Sequence, residues 1–312
     1  MTQARDACLM PTAAAEASAV PFFVVGAQRS GTTMLRLMLN NHPRLAVPFE
    51  SGFIPVFFGR LAEYGSLTEP SNVERLLKDI CLHPKVDKGG LVPDVAAVLS
   101  RRIASYRDLV DAIFREYAKR KGKARWGDKT PAYITEVETI ASIFPEARLI
   151  HVVRDGRDVA LSLGGLNWGS RHIPRIAQDW RWKTVLAHKV GTVLGDRFLE
   201  VRFEDIVRDA EGELRRICEF LGEPFDPAVL AYSASAESEM PPDSMQWHRT
   251  STRPPDPAKV YEWKRRMPIA DRILFEAAAG DALELFGYER ERLAPTLGSR
   301  IKGLYYAVVR RW

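Results

Sequence analysis

The segment Gly26-Ala27-Gln28-Arg29-Ser30-Gly31-Thr32-Thr33 is the first in the chain able to do chemistry. Two glycines bracket an arginine and a serine, and two threonines follow. A loop of this composition can turn backbone N–H groups and hydroxyls toward one oxyanion, beside a fixed positive charge. The chemistry is phosphate binding. Loops that hold a nucleoside triphosphate end in Gly-Lys followed by Ser or Thr, and that lysine reaches the β and γ phosphates. Here Thr32 follows Gly31, and the cation stands inside the loop as Arg29. A kinase or NTPase with a degenerate loop is therefore the alternative reading, predicting magnesium-dependent ATP turnover.

Such a loop works only between a strand and a helix, and the flanking residues supply both. Pro21 to Val25 is a continuous apolar run of the kind buried on both faces of a parallel sheet. Thr33 to Asn41 has helical apolar spacing and stops at His42-Pro43. Two more buried-strand candidates, Arg148 to Val153 and Phe198 to Phe203, each run into a charged turn and a helix. Helical patterns lie near 71–82, 93–121, 132–143, 174–194, 210–221 and 268–286. Strands alternating with helices predict an α/β fold with a central parallel β-sheet flanked by helices. Residues 238–258 hold five prolines and read as a long loop.

The 312 residues carry a formal charge of +5, with 46% hydrophobic and 27% charged residues. That composition fits a globular enzyme for anionic ligands and gives no basic stripe for nucleic acid. Cys8, Cys81 and Cys218 show no CxxC spacing, and no histidines stand at HxxxH or HExxH spacing, so neither a disulfide framework nor a catalytic metal is expected. The first twenty residues lack a signal-peptide pattern, and no apolar run approaches the ~18 residues a bilayer span needs. The expected location is the cytoplasm.

The run GAQRSGTTMLRLMLNNHP resembles the phosphosulfate-binding loop of the sulfotransferase family, a basic residue followed by Ser-Gly-Thr-Thr. The resemblance implies the P-loop-like sulfotransferase fold. It also implies 3'-phosphoadenosine-5'-phosphosulfate (PAPS) as donor and adenosine 3',5'-bisphosphate as product. By position, Arg29, Ser30, Gly31, Thr32 and Thr33 would hold the 5'-phosphosulfate. Val153-Arg154-Asp155-Gly156-Arg157-Asp158-Val159-Ala160-Leu161-Ser162 resembles the family's 3'-phosphate motif, which implies Arg154 and Ser162 as its ligands. A doubly charged phosphate suits a bidentate arginine with a hydroxyl. Taken alone, the same stretch reads as a helix start with Asp158 as cap and Arg154 and Asp155 as solvated charges. A non-catalytic relative would be expected to have lost Arg29, Arg154 or Ser162, and all three are present. In LEVRFEDIVRDAEGELRRICEFLG (199–222), Phe203, Ile217, Phe220 and Leu221 read as core.

The Lys-Thr-His motif of the small-molecule cytosolic branch is missing, and His151, mid-strand, reads as a packed core residue. The branches acting on protein tyrosines and glycans use a glutamate after the first helix, which the resemblance maps to Glu50. A carboxylate there would take the acceptor's proton, most usefully if burial near Phe49 and Phe53 raised its pKa. Trp126-Gly127-Asp128-Lys129-Thr130-Pro131-Ala132-Tyr133 resembles the same branches and implies Lys129 as the cation facing the transferring sulfuryl group. Its plain reading is a helix start, with Thr130 as cap and Pro131 in the first turn. His248 to Arg253 resembles a late loop with cofactor contacts.

The resulting organisation is a flexible tail over 1–20, one catalytic domain over 21–299 and a basic-aromatic segment over 300–312. That last segment either covers a core or touches the inner face of a membrane. Abundant Ala and Arg point to a bacterial origin. A small-molecule, lipid or glycan acceptor is expected; its identity and the oligomeric state are not encoded in any motif.

Overall fold

The computed structural model describes residues 20–309 except Trp168. The tail expected over 1–20 lies, Val20 apart, outside the described residues, as do Cys8 and 310–312. β1 (Phe22–Gly26) is the predicted apolar run and is buried throughout. Its alternation serves two cores: Phe23 and Val25 pack with Trp126, Phe144 and Leu149, and Phe22 and Val24 with Leu35, Ile150 and Val152. Helix α1 (Thr32–Asn40) follows at once and is buried along its whole length. β2 (Leu45–Ala46) comes next, then a helical excursion through α2 (Pro70–Cys81), α3 (Pro84–Lys88), α4 (Val95–Leu99) and α5 (Tyr106–Arg120).

β3 (Arg125–Lys129), α6 (Val137–Ile143) and β4 (Arg148–Val153) continue the alternation. After them come α7 (Gly156–Gly164), α8 (Ile173–Leu194), β5 (Phe198–Arg202), α9 (Phe203–Arg208) and α10 (Ala210–Leu221). The chain ends in α11 (Ile269–Leu285) and α12 (Leu297–Val309). The five strands pair in the order β2-β3-β1-β4-β5, all parallel. The chain leaves central β1 toward β3 on one side and returns to β4 on the other. In open parallel sheets a ligand crevice forms outside the carboxyl ends of strands at such a reversal.

Three predictions change. The helix expected over 93–121 is two, because Asp94 caps α4 and Ser105 caps α5 by accepting from the Asp108 N–H. Residues 125–129, read only as the approach to a helix, form a strand, and Pro131–Thr135 after it is a 3-10 turn. Asp155 rather than Asp158 caps α7, accepting from the Arg157 N–H at 2.9 Å. Residues 238–258 remain largely irregular, with one-turn pieces at Pro242–Ser244 and Met245–His248. No helix among the described residues is long and apolar enough to cross a membrane.

Candidate active site at the strand ends

The ends of β1, β3 and β4 bring the predicted residues to one place in two touching groups. The first is the loop after β1 with the start of α7. Arg29 and Gly31 both adopt positive φ, 69° and 93°. At Gly31 a Cβ would lie 2.4 Å from Phe203 Cδ2, so only glycine lets the loop close over that ring. Phe203 is in the core as expected and also lies against the loop, with the Arg154 guanidinium 4.4 Å from its ring centroid. Arg154 donates to the Arg29 carbonyl (3.2 Å) and the Lys259 carbonyl (2.9 Å). Arg29 donates through Nε to Ser162 Oγ (2.9 Å) and through Nη1 to the Trp247 carbonyl (2.9 Å). The two motifs, more than a hundred residues apart, thus share hydrogen bonds.

Ser30 is fully buried, and its hydroxyl has no hydrogen-bond partner. Buried polar groups are nearly always paired. A hydroxyl left over beside a helix N-terminus and two guanidinium groups is suited to an oxyanion. Burial and the neighbouring Arg154 both draw the Arg29 pKa down, the signature of cations converging on one point. Neither Arg154 nor Asp155 is a solvated charge: both are buried. Asp158 accepts from the Trp263 N–H (2.7 Å), and burial raises its carboxyl to about 7 against the pull of Arg154.

The second group starts at Thr33, whose hydroxyl accepts from Lys129 Nζ at 3.3 Å. Lys129 is fully buried and pairs with Glu50 Oε1 at 3.1 Å, under the Phe49 ring at 4.6 Å. Burial pulls the ammonium below its usual range, and Glu50 is the main group opposing that. The other carboxylate oxygen of Glu50 accepts from Lys85 Nζ on α3 at 2.8 Å. Burial does push the Glu50 carboxyl upward, as the sequence led us to expect. Lys129 and Lys85 outweigh it, however, and hold the group at about 2. The expectation of a raised pKa is corrected: Glu50 is a doubly paired carboxylate at neutral pH.

Glu50 owes its position to the next residue. Ser51 donates to Asp128 Oδ2 (2.5 Å), contacts the Tyr133 hydroxyl (3.0 Å), and offers its N–H to Thr130 Oγ1 (3.2 Å). Asp128 is fully buried, which raises its carboxyl to about 6 while Ser51 and Thr130 hold it down. Thr130, read as a helix cap, instead ties this loop to β3.

Two residues escaped the sequence reading as individuals. Lys85 crosses Gly52, where a Cβ would stand 2.5 Å from Lys85 Cδ, and nothing in its spacing shows that it returns to Glu50. His248 lies edge-on to Phe49 at 5.9 Å, next to the carbonyl that Arg29 binds. Burial, then Lys129 and Arg29, lower its imidazole to about 4, so it is neutral here. His151 is buried in β4 and bonds Glu200 through Nδ1 at 3.0 Å, away from these groups.

The chain as a whole is similar to known proteins. A model of the Sulfotransferase family matches residues 21–227. Nodulation protein NoeE of Sinorhizobium fredii is 26% identical over 297 residues, covering 86% of this chain and 66% of NoeE. The protein-tyrosine sulfotransferase of Drosophila melanogaster is 24% identical over 287 residues, covering 88% of this chain and 53% of that protein. The chain thus spans between half and two thirds of the length of these relatives. The sulfotransferase domain of the Synechococcus PCC 7002 olefin synthase superposes with a TM-score of 0.60 at 27% identity, over 86% of this chain and 95% of that domain. With well over half of its residues inside the family model, the chain belongs to the sulfotransferase family.

Proposed function

We propose that the protein moves the sulfuryl group of PAPS to a hydroxyl of a small-molecule, lipid or glycoside acceptor, with residues 21–299 working as one catalytic domain. Arg29, Ser30 and the N–H groups of Gly31 to Thr33 hold the 5'-phosphosulfate. Arg154 and Ser162 hold the 3'-phosphate. In the transfer, the bond from sulfur to the phosphate oxygen breaks as the acceptor oxygen bonds to sulfur in line. The acceptor's proton goes to Glu50. Adenosine 3',5'-bisphosphate leaves. Lys129 and Arg29 face the charge that develops on the departing oxygen, where preorganised cations contribute most.

The observation that carries this reading is the unpartnered Ser30 hydroxyl, buried where the shared hydrogen bonds of Arg29, Arg154 and Ser162 converge. A hydroxyl acceptor is supported by the name of the tyrosine-modifying relative. Calorimetry with adenosine 3',5'-bisphosphate tests the donor site, with saturation expected below ~100 μM. No heat at that concentration overturns the proposal. ATP turnover in the presence of magnesium would move it to the kinase reading.

A further inference from the structure

Helix α12 is inverted. A surface helix ordinarily turns its apolar stripe to the core. This one turns small and polar residues inward: Ser299 is buried, Lys302 pairs with Asp271 at 2.5 Å, and a Cβ on Gly303 would rest 3.5 Å from Leu274. Tyr306 stacks on His172 at 4.2 Å and donates to the Arg171 carbonyl at 2.9 Å. On the opposite face stand Leu297, Ile301, Leu304, Tyr305 and Val308, each between 59% and 74% exposed. Their spacing of four, three, one and three residues keeps all five on one side at 3.6 residues per turn. The helix is anchored by one face and offers an apolar stripe on the other.

The charged residues of this segment are all basic, and two of them are answered from α11, Lys302 by Asp271 and Arg292 by Glu284. From Arg292 to Trp312 the sequence holds Arg292, Arg300, Lys302, Arg310 and Arg311 and no acidic residue. A symmetric pairing of this segment with its own copy would set Arg300 and the basic end of the sequence against themselves, because a two-fold interface sets the same patch against itself. A bilayer with anionic headgroups answers both features: it takes the apolar side chains to the acyl boundary and neutralises the flanking bases.

We propose that α12 is an interfacial helix that docks this protein on a negatively charged membrane surface. The inference is independent of the sulfuryl-transfer reading. Tyr306 and His172 fix the docked helix against the start of α8.

Co-sedimentation of the full chain with phosphatidylcholine vesicles, with and without phosphatidylglycerol, tests this with no donor present. Binding is expected only to the anionic vesicles and is expected to weaken as salt rises. The pair Ile301→Asp and Leu304→Asp, both at exposed positions that leave the core alone, should weaken it about tenfold or more. Leu82→Asp, at an equally exposed leucine on another surface, should leave it unchanged. Equal sedimentation with neutral vesicles, or no loss in the double variant, overturns the proposal. So does a self-associated species in solution that the double variant dissolves without any vesicle binding, because that assigns the stripe to a second copy.

Discussion

The proposed donor end and the proposed acceptor end of the site are built differently. Arg29 to Thr33, Arg154 and Ser162 sit where two adjacent strands run into helices, so the backbone of the sheet sets their positions. Glu50, Lys85 and His248 come from three connecting segments and are held by side-chain pairs and one ring contact. The first arrangement is fixed by the sheet and suits the one donor proposed for it. The second can be altered one side chain at a time, which is how a family keeps one donor and exchanges acceptors.

Four substitutions would break or sharpen that contrast. Glu50→Gln should leave adenosine 3',5'-bisphosphate affinity unchanged and cut transfer by ~10²–10⁴-fold, the range for losing a positioned base. Full turnover in this variant would move proton acceptance to another group, such as the neutral His248 beside Phe49. Arg154→Ala should raise the dissociation constant of the bisphosphate about 10- to 150-fold, the equivalent of ~1.5–3 kcal/mol for a charged hydrogen-bonding group. An unchanged constant would detach Arg154 from the donor. Gly31→Ala meets both the positive φ and the Phe203 ring, so thermal unfolding should reveal a loss of ~1–3 kcal/mol.

The smallest effect belongs to the acceptor end. Lys85→Met removes one of the two cations that outweigh burial at Glu50. Glu50 is held low in the wild type, so it stays ionised down to about pH 2 and gives no acid limb above that. Losing Lys85 moves its pKa up. The pH–rate profile of the variant should then fall away toward the ordinary carboxylate range near ~4.5, with only a few-fold change at pH 7. Stability follows the same sign: the lowered carboxyl contributes above its unfolded pKa, and that contribution is lost as pH falls through the folded one. An unmoved limb in Lys85→Met would mean that the 2.8 Å pair does not govern Glu50.

The same contrast explains what could be read from the sequence. β1 and β4 are visible because apolar runs bury themselves without help from distant residues. β5, expected as a buried strand, is instead largely half-buried at the sheet edge and carries Glu200 and Arg202. β3 is buried as deeply as β1 yet reads Arg-Trp-Gly-Asp-Lys. Each of its charges is answered from afar: Arg125 by Glu223 and the Leu221 carbonyl, Asp128 by Ser51, Lys129 by Glu50. No local pattern announces a strand whose burial depends on partners fifty to a hundred positions away. The residues proposed to hold the donor lie in two short contiguous motifs, which the structure brings together by hydrogen bonds. The protonation of Glu50 is not legible in the sequence, because its neighbour Phe49 is in the sequence window and Lys85 is not.

The pairing of β1 with β4 also has a consequence for how the chain is made. One edge of β1 stays open until Arg148–Val153 leaves the ribosome, and at bacterial synthesis rates of ~5–20 residues per second that interval is on the order of ten seconds. Throughout it, Phe22 to Val25 present an apolar strand with unanswered backbone groups, a template for pairing with another nascent copy. Expression yield should therefore rise with a chaperone that covers this strand during synthesis.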